Sequence, residues 1–164
     1  GFGTLDEAME AITLIQTGKR YSLPLILIDE PGGKYWSHCL AFFENKLLKS
    51  GFIGKTDFSL FERVDSTDAA IDKINHFYSC YHSLRYVNGR LVIRLNSTIK
   101  PEKFKTLKEK YADILVPKGV MFLSGALPEE SSEPEIAHLP RIVMDFNQGD
   151  FGRLRELIDS INDC

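Results

Sequence analysis

The fold of this chain is decided by a run of six residues, Pro24-Leu25-Ile26-Leu27-Ile28-Asp29. The run is apolar on both faces, as in a strand that is buried within a parallel sheet. Apolar residues recur at helical spacing on either side of it, over about residues 5–16 and 36–49. We therefore predict a helix, a buried strand and a second helix, with Gly18 and Gly51 as the expected helix stops.

The same alternation continues as far as about residue 80. A short strand is predicted at residues 60–64, and Ser66 is expected to cap a third helix over residues 67–81. Because strands separated by helices form parallel sheets with crossovers, residues 1–80 predict an α/β unit. The side chains of the third helix that are expected to face inward are Ala70, Ile71, Ile74, Phe77 and Tyr78.

The second half of the chain, residues 81–164, follows a different pattern. Asn88 and Gly89 lie between two β-rich runs, which is a strong signal for a two-residue hairpin. The segment 128–140 is rich in Pro, Glu and Ser, which predicts a mobile loop. The other predicted elements are a helix over residues 101–112, strands over 120–126 and 141–146, and a last helix capped by Asp150. Together they predict a small α+β domain.

Composition excludes several classes of protein. The chain has 164 residues, of which 20 are Lys or Arg and 23 are Asp or Glu, so its formal net charge is −3. This balance offers no basic surface for nucleic acid or anionic lipid, and no apolar run approaches the ~18 residues of a membrane span. Cys39, Cys80 and Cys164 show no metal-ligand spacing, so we expect a cytoplasmic protein without metal or cofactor, and Cys164 as a bystander.

The residues that can carry chemistry are Gly1-Phe2-Gly3-Thr4-Leu5-Asp6-Glu7. Glycines allow a backbone to approach a ligand closely, and the helix that follows favours an anion at its N-terminus. Thr4 and Glu7 also have the spacing of a capping box, in which Thr4 caps the helix and Glu7 bonds back to it. The pattern alone leaves both interpretations open.

This run resembles the second part of PGGxGTxxE, the signature of the LONELY GUY (LOG) family of nucleoside 5′-monophosphate phosphoribohydrolases. Gly1 matches the second glycine of the pair, Gly3 and Thr4 the Gly-Thr, and Glu7 the final Glu. The similarity continues through Ile12-Thr13 and Gln16-Thr17-Gly18, and later through Tyr35-Trp36 and Gly51-Phe52-Ile53. It covers about residues 1–80, whereas residues 81–164 resemble an appended domain. Members of this family have also carried the label lysine decarboxylase, although no lysine here has the context of a pyridoxal phosphate site.

The resemblance implies a Rossmann-like domain that hydrolyses the N-glycosidic bond of a purine nucleotide, of the cytokinin type or AMP, to the free base and ribose 5-phosphate. Glu7 would be the catalytic carboxylate. The phosphate and the rest of the substrate would contact the other residues of the run and one residue further along the helix, namely Gly1, Phe2, Gly3, Thr4, Leu5, Asp6 and Thr13. Asp6 is better accounted for as a favourable acidic residue in a first helical turn.

The motif also departs from the family pattern. Its first proline and glycine, the upstream glycine-rich loop and the arginine of the catalytic pair lie outside this sequence, so we expect a fragment that is inactive by itself. The resemblance further implies a homodimer. The alternative is a regulatory module that binds a purine nucleotide without cleaving it. The base preference and the role of residues 81–164 are not determined by the sequence.

Overall fold

The computed structural model of the chain describes residues 1–163, which form two compact units. The first unit comprises Gly1–His76 and Asp150–Glu156, and the second comprises Phe77–Gly149 and the chain from Leu157 onward. Cys164 lies outside the described residues. The predicted division into domains at residue 80 stays a prediction, and the first unit also recruits a short segment from far along the sequence.

The first unit is built on two parallel strands. Helix α1 (Phe2–Gln16) precedes strand β1 (Leu25–Ile28), and helix α2 (Tyr35–Phe42) leads through a π-helical segment (Phe43–Leu48) and a 3₁₀ turn (Thr56–Leu60) to strand β2 (Phe61–Val64). The strands pair in register, with Leu25 opposite Phe61 and Ile28 opposite Val64. The chain thus has the expected α/β character, with two parallel strands in this sheet among the described residues.

The apolar stripe of α1 faces the core of this unit, as its spacing predicts. Ala8 and Ile15 are buried, and Leu5, Met9 and Ile12 pack against them together with Leu27 of β1. The second predicted helix begins as expected but changes to π-helical geometry at Phe43. There the Asn45 side chain donates to the carbonyl of Ala41 at 2.8 Å. Gly51 ends the segment at a φ of 75°, which confirms it as the stop.

Helix α3 (Thr67–Phe77) is shorter than predicted. Ser66 caps it as expected, because its hydroxyl oxygen accepts a hydrogen bond from the amide of Ala69 at 3.2 Å. The predicted extension to residue 81 is wrong, since Tyr81 already belongs to the first strand of the next sheet. The prediction of its inward face is correct for Ala70 and Phe77 and wrong for Ile71, Ile74 and Tyr78, which are exposed.

The second unit is built on an antiparallel sheet in the order β3-β4-β6-β5. Its elements are β3 (Tyr81–Val87), β4 (Arg90–Leu95), α4 (Pro101–Lys110), β5 (Met121–Ser124), β6 (Arg141–Met144) and α5 (Phe151–Asn162), whose first residues belong to the first unit. Asn88 and Gly89 both have positive φ, 49° and 82°, so the predicted hairpin is confirmed. Asp150 caps α5, because its carboxylate accepts a hydrogen bond from the Arg153 amide at 2.7 Å.

The segment 128–140, for which composition predicts a mobile loop, contains local structure and buried contacts. It forms two short 3₁₀ turns, and its Glu130 is only 2% exposed. The Glu130 carboxylate accepts hydrogen bonds from Arg94 and Arg141, which lie opposite each other on β4 and β6. Composition misses this arrangement because the two arginines contact the carboxylate only once the sheet has formed.

Candidate functional site

A cavity of about 390 Å³ lies at the carboxyl end of β1 in the first unit. Open α/β sheets bind ligands at this end of their strands, where loops and helix N-termini converge. The N-terminus of α1 contributes Gly1 and Thr4 to the lining. The chain that follows β1 contributes the remainder, Ile28, Asp29, Glu30, Gly33, Lys34, Tyr35 and Trp36.

Asp29 organises the loop that follows β1. The residue is only 6% exposed, and its carboxylate accepts two hydrogen bonds, from the Trp36 amide at 3.2 Å and from Arg63 Nε at 2.8 Å. The same guanidinium donates through Nη2 to the carbonyl of Gly33 at 2.9 Å. Burial by itself would raise the pKa of Asp29, but the bonds from Arg63 and Trp36 and the guanidinium charge outweigh it. The pKa therefore lies below its ordinary value of 3.8, and the carboxylate is ionised at neutral pH.

Two aromatic side chains form one wall of the cavity. Trp36 is buried and donates from its indole Nε1 to the carbonyl of Ile28 at 3.2 Å, which fixes the ring against the end of β1. Tyr35 packs edge-on against Trp36, with ring centroids 5.1 Å apart and planes at 87°. Tyr35 is 45% exposed, so its ring is accessible to a ligand that enters the cavity.

The tight turn between the strand and this wall depends on Gly33. A Cβ atom at this position would lie 2.8 Å from the carbonyl oxygen of Glu30 and 3.1 Å from the Cβ of Asp29. Such distances are closer than side chains tolerate, so a larger residue would push the loop away from Asp29. The turn thus connects Asp29 to the aromatic wall, and both line the cavity.

The N-terminus of α1 also borders this cavity. The helix begins at Phe2, three residues before the predicted start, and the amide of Leu5 donates to the carbonyl of Gly1 at 3.2 Å. Thr4 is therefore inside the first turn, where its hydroxyl oxygen accepts a hydrogen bond from the Gly1 amino group at 3.4 Å. The interpretation of Thr4 and Glu7 as a capping box is wrong for this reason, because Gly1 is the N-cap residue. The first amides of α1 have no acceptor within the helix, which leaves them available to an anion.

The residues of the motif separate into three groups. Gly1 and Thr4 line the cavity, whereas Phe2, Gly3, Leu5 and Asp6 line a separate, open groove of about 530 Å³ together with Met9. Glu7 and Thr13 are exposed and line neither space. Glu7 follows Thr4 by three positions and lies on the same side of the helix, one turn further along it.

Asp29 and Arg63 are the site residues that sequence reasoning missed. The available signal for Asp29 is a carboxylate directly after a buried parallel strand, at the edge where ligands bind. Arg63 gives no such signal, because it lies within β2 and meets Asp29 only when the two strands pair. Tyr35 and Trp36, by contrast, stand out in the sequence as adjacent aromatic residues, and both line the cavity.

A second cavity of about 520 Å³ shares Ile28, Asp29 and Glu30 with the first. Its other lining residues come from Pro31 and from the start of α3, namely Asp65, Ser66, Thr67 and Asp68. Within residues 1–163, no group of three His, Cys, Asp or Glu side chains is arranged to hold a metal ion. None of the helices in this part of the chain is both long and apolar enough to cross a membrane.

Comparison with known proteins supports the resemblance seen in the sequence. Residues 1–74 match the family described as possible lysine decarboxylase, the alternative label of the LOG family. The match contains the whole Gly1–Glu7 run, both parallel strands and every residue that lines the cavity at the end of β1. No curated protein and no solved structure matches the chain significantly.

Proposed function

We propose that this chain, whose residues 1–74 match the LOG family, is part of a nucleotide phosphoribohydrolase with a Rossmann-like domain. The reaction is hydrolysis of the N-glycosidic bond of a purine nucleoside 5′-monophosphate, AMP or a cytokinin nucleotide, to the free base and ribose 5-phosphate. The observation that carries the proposal is the family match over the GxGTxxE run. The position of Gly1 and Thr4 in a cavity at the carboxyl end of β1 supports it.

The 5′-phosphate is proposed to bind at the N-terminus of α1. The backbone amides at Phe2, Gly3 and Thr4 have no helical acceptor, and the helix dipole favours a dianion there. The Thr4 hydroxyl adds a side-chain donor on the cavity side. A Cβ atom at Gly1 or at Gly3 would have no neighbour within 4 Å, so space is open around the backbone for a phosphate.

Glu7 is proposed to act on the ribose. When the bond between C1′ and the base nitrogen breaks, positive charge develops on the ribose ring, and the base leaves with a proton. A carboxylate on the same side of α1 as Thr4 stabilises that charge or orients the water that attacks C1′. Thr13 is proposed to contact the substrate further along the helix, and Phe2, Leu5 and Asp6 to border it from the open groove.

The decisive experiment measures adenine release from AMP by the full-length product of the gene that encodes this chain. Glu7→Gln is expected to lower kcat by about 100-fold or more, the usual contribution of a positioned acid or base. Glu10→Gln is the matched control, since Glu10 is also an exposed glutamate of α1 but lies outside the motif.

The outcomes separate the enzyme from the alternative function. Tight AMP binding without adenine release by the full-length protein would contradict hydrolysis and favour a nucleotide-binding regulatory module. Equal losses in the Glu7 and Glu10 variants would show that Glu7 has no special role. A homodimer that acts in the cytoplasm is part of the same proposal, and sedimentation equilibrium of the full-length protein tests the dimer.

A further inference from the structure

The second unit carries a row of arginines on one face of its sheet. Arg94 of β4 lies directly opposite Arg141 of β6, and Arg85 of β3 is diagonal to Arg94, because Ser83 is the residue paired with it. Arg94 and Arg141 are 5% and 0% exposed. Buried guanidinium groups require anionic partners. The anions that already contact this row therefore indicate the kind of ligand that could replace them.

Both carboxylates that meet the row come from residues 125–140, which we name the strap. Glu130 is buried and bonds to Arg94 Nη2 at 2.6 Å and to Arg141 Nε at 3.1 Å. Glu133 is half-buried, and a single carboxylate oxygen accepts bonds from Arg94 and from Arg85 Nη1, the latter at 2.5 Å. Glu130 is thus the inner partner, and Glu133 is the outer partner that reaches solvent.

The charge of this cluster is unbalanced. Three guanidinium groups face two carboxylates, which leaves one positive charge when Glu133 is in place. Removal of Glu133 would leave two positive charges, which matches the charge of a phosphomonoester at neutral pH. The two guanidinium groups that donate to this Glu133 oxygen can form the same kind of charge-assisted hydrogen bonds with a phosphate oxygen.

A cavity of about 440 Å³ lies two residues along the strands from the arginine row. Val87 and Val143 line it, and they follow Arg85 and Arg141 by two positions on the same strands, so all four lie on one face of the sheet. Leu127 and Pro128 of the strap close its other side. The volume is in the range of small-molecule sites, and these four side chains give it an apolar wall beside the charged row.

We propose that the second unit binds a small organic phosphomonoester, with its phosphate on Arg85 and Arg94 and its carbon body in this cavity. Glu133 occupies the phosphate position in the absence of ligand and leaves when the ligand binds. Glu133 lies between two 3₁₀ turns rather than in the sheet, so its departure breaks no strand pairing. Glu129 also lines the cavity, beside Asn88, and Arg90, the arginine of the lining, is already paired with Asp145 at 3.0 Å, so the phosphate is assigned to Arg85 and Arg94.

The test is calorimetric titration of the chain with phenyl phosphate, with phenol as the uncharged control. Glu133→Gln is expected to tighten binding about tenfold, because the internal competitor loses its charge, and Arg85→Gln is expected to weaken it about tenfold. Glu135→Gln, an exposed glutamate of the same strap, should leave the affinity unchanged.

A second readout protects the test against a poorly folded variant. In the wild-type chain, the Nε–H resonances of Arg85 and Arg94 are expected to shift with phenyl phosphate, while that of Arg20 does not. Absence of binding to Glu133→Gln would overturn the proposal. Binding that is indifferent to Arg85→Gln, or weakened by Glu133→Gln, would overturn it as well.

Discussion

A single carboxylate, that of Asp29, joins the end of β1 to two other parts of the first unit. It accepts a hydrogen bond from the guanidinium of Arg63 in β2 and another from the amide of Trp36 at the start of α2. Its position thereby determines where the aromatic wall of the cavity stands. Because Asp29 has a lowered pKa, its carboxylate stabilises the fold more at neutral pH than at acidic pH.

A carboxyl group whose pKa is lower in the folded than in the unfolded state stabilises the fold above the unfolded pKa, and loses that contribution as pH falls through the folded pKa. Asp29→Asn should therefore be less stable than the wild type at pH 7, and this difference should shrink below the ordinary value of 3.8. Urea unfolding over a pH series measures it. Glu30→Gln is the control, and a pH-independent difference for Asp29→Asn would contradict the assignment.

Glu130 makes a comparable connection in the second unit, where it is almost fully buried. Glu130→Gln leaves Arg94 and Arg141 without their shared carboxylate, and breaking a buried ion pair in this way costs about 3–5 kcal/mol. The free energy of unfolding in denaturant provides the measurement. Glu129→Gln, the exposed neighbour, should change stability by less than about 0.5 kcal/mol. Similar values for the two variants would show that the buried pair is not a determinant of stability.

At the scale of elements, the beginning of α5 fits closely against the rest of the first unit. A Cβ atom at Gly152 would lie 2.2 Å from the carbonyl oxygen of Thr56, and Ser59 donates its hydroxyl to the carbonyl of Gly152 at 2.6 Å. Arg155 is buried and donates to Glu62 at 3.2 Å and to the carbonyl of Leu23 at 3.2 Å. These contacts explain why residues 150–156 belong to this unit.

Gly152→Ala is therefore expected to destabilise the protein by about 1–3 kcal/mol, although alanine is the better helix former. Gly3→Ala in α1 is the matched control, since a Cβ atom there has no neighbour within 4 Å. The control should be neutral or more stable by up to about 1 kcal/mol. Thermal unfolding of both variants tests the comparison, and an equally stable Gly152→Ala chain would refute the close approach.

At the scale of the whole molecule, the family match and the compact units do not have the same bounds. The match ends at residue 74, whereas the first unit also contains Asp150–Glu156. A chain of residues 1–76 would lack the partners of Gly18, Ser59 and Glu62 that α5 supplies. The matched segment is therefore incomplete as a folding unit.

We expect residues 1–76 expressed alone to show lower helicity and no cooperative thermal transition, while the 164-residue chain unfolds cooperatively. Circular dichroism during heating measures both. Arg155→Met in the 164-residue chain should lower its transition temperature, because Arg155 is almost fully buried and its polar partners would be left without a donor. A cooperative transition in residues 1–76 would show that the α5 contacts are dispensable.

The sequence by itself determined most of the elements. It also determined the residues of the phosphate site that we propose at the N-terminus of α1. Periodicity predicted the apolar face of α1, the Asn88-Gly89 pair predicted the hairpin, and the GxGTxxE run indicated the family. The apolar run predicted the position of β1 but not its burial, since Leu27 is buried and Ile28 is 47% exposed. These signals are local, since each is carried by neighbouring residues whose spacing alone reflects helix, strand or turn geometry.

Only the tertiary structure decided which distant residues meet. It placed Arg63 on Asp29, Arg94 and Arg141 on Glu130, and the start of α5 against Thr56. The physical reason is that strand pairing and helix packing join positions separated by tens of residues, and one sequence contains no record of those pairings. A charged residue in a strand or loop is expected to be solvated until the fold shows which opposite charge lies beside it.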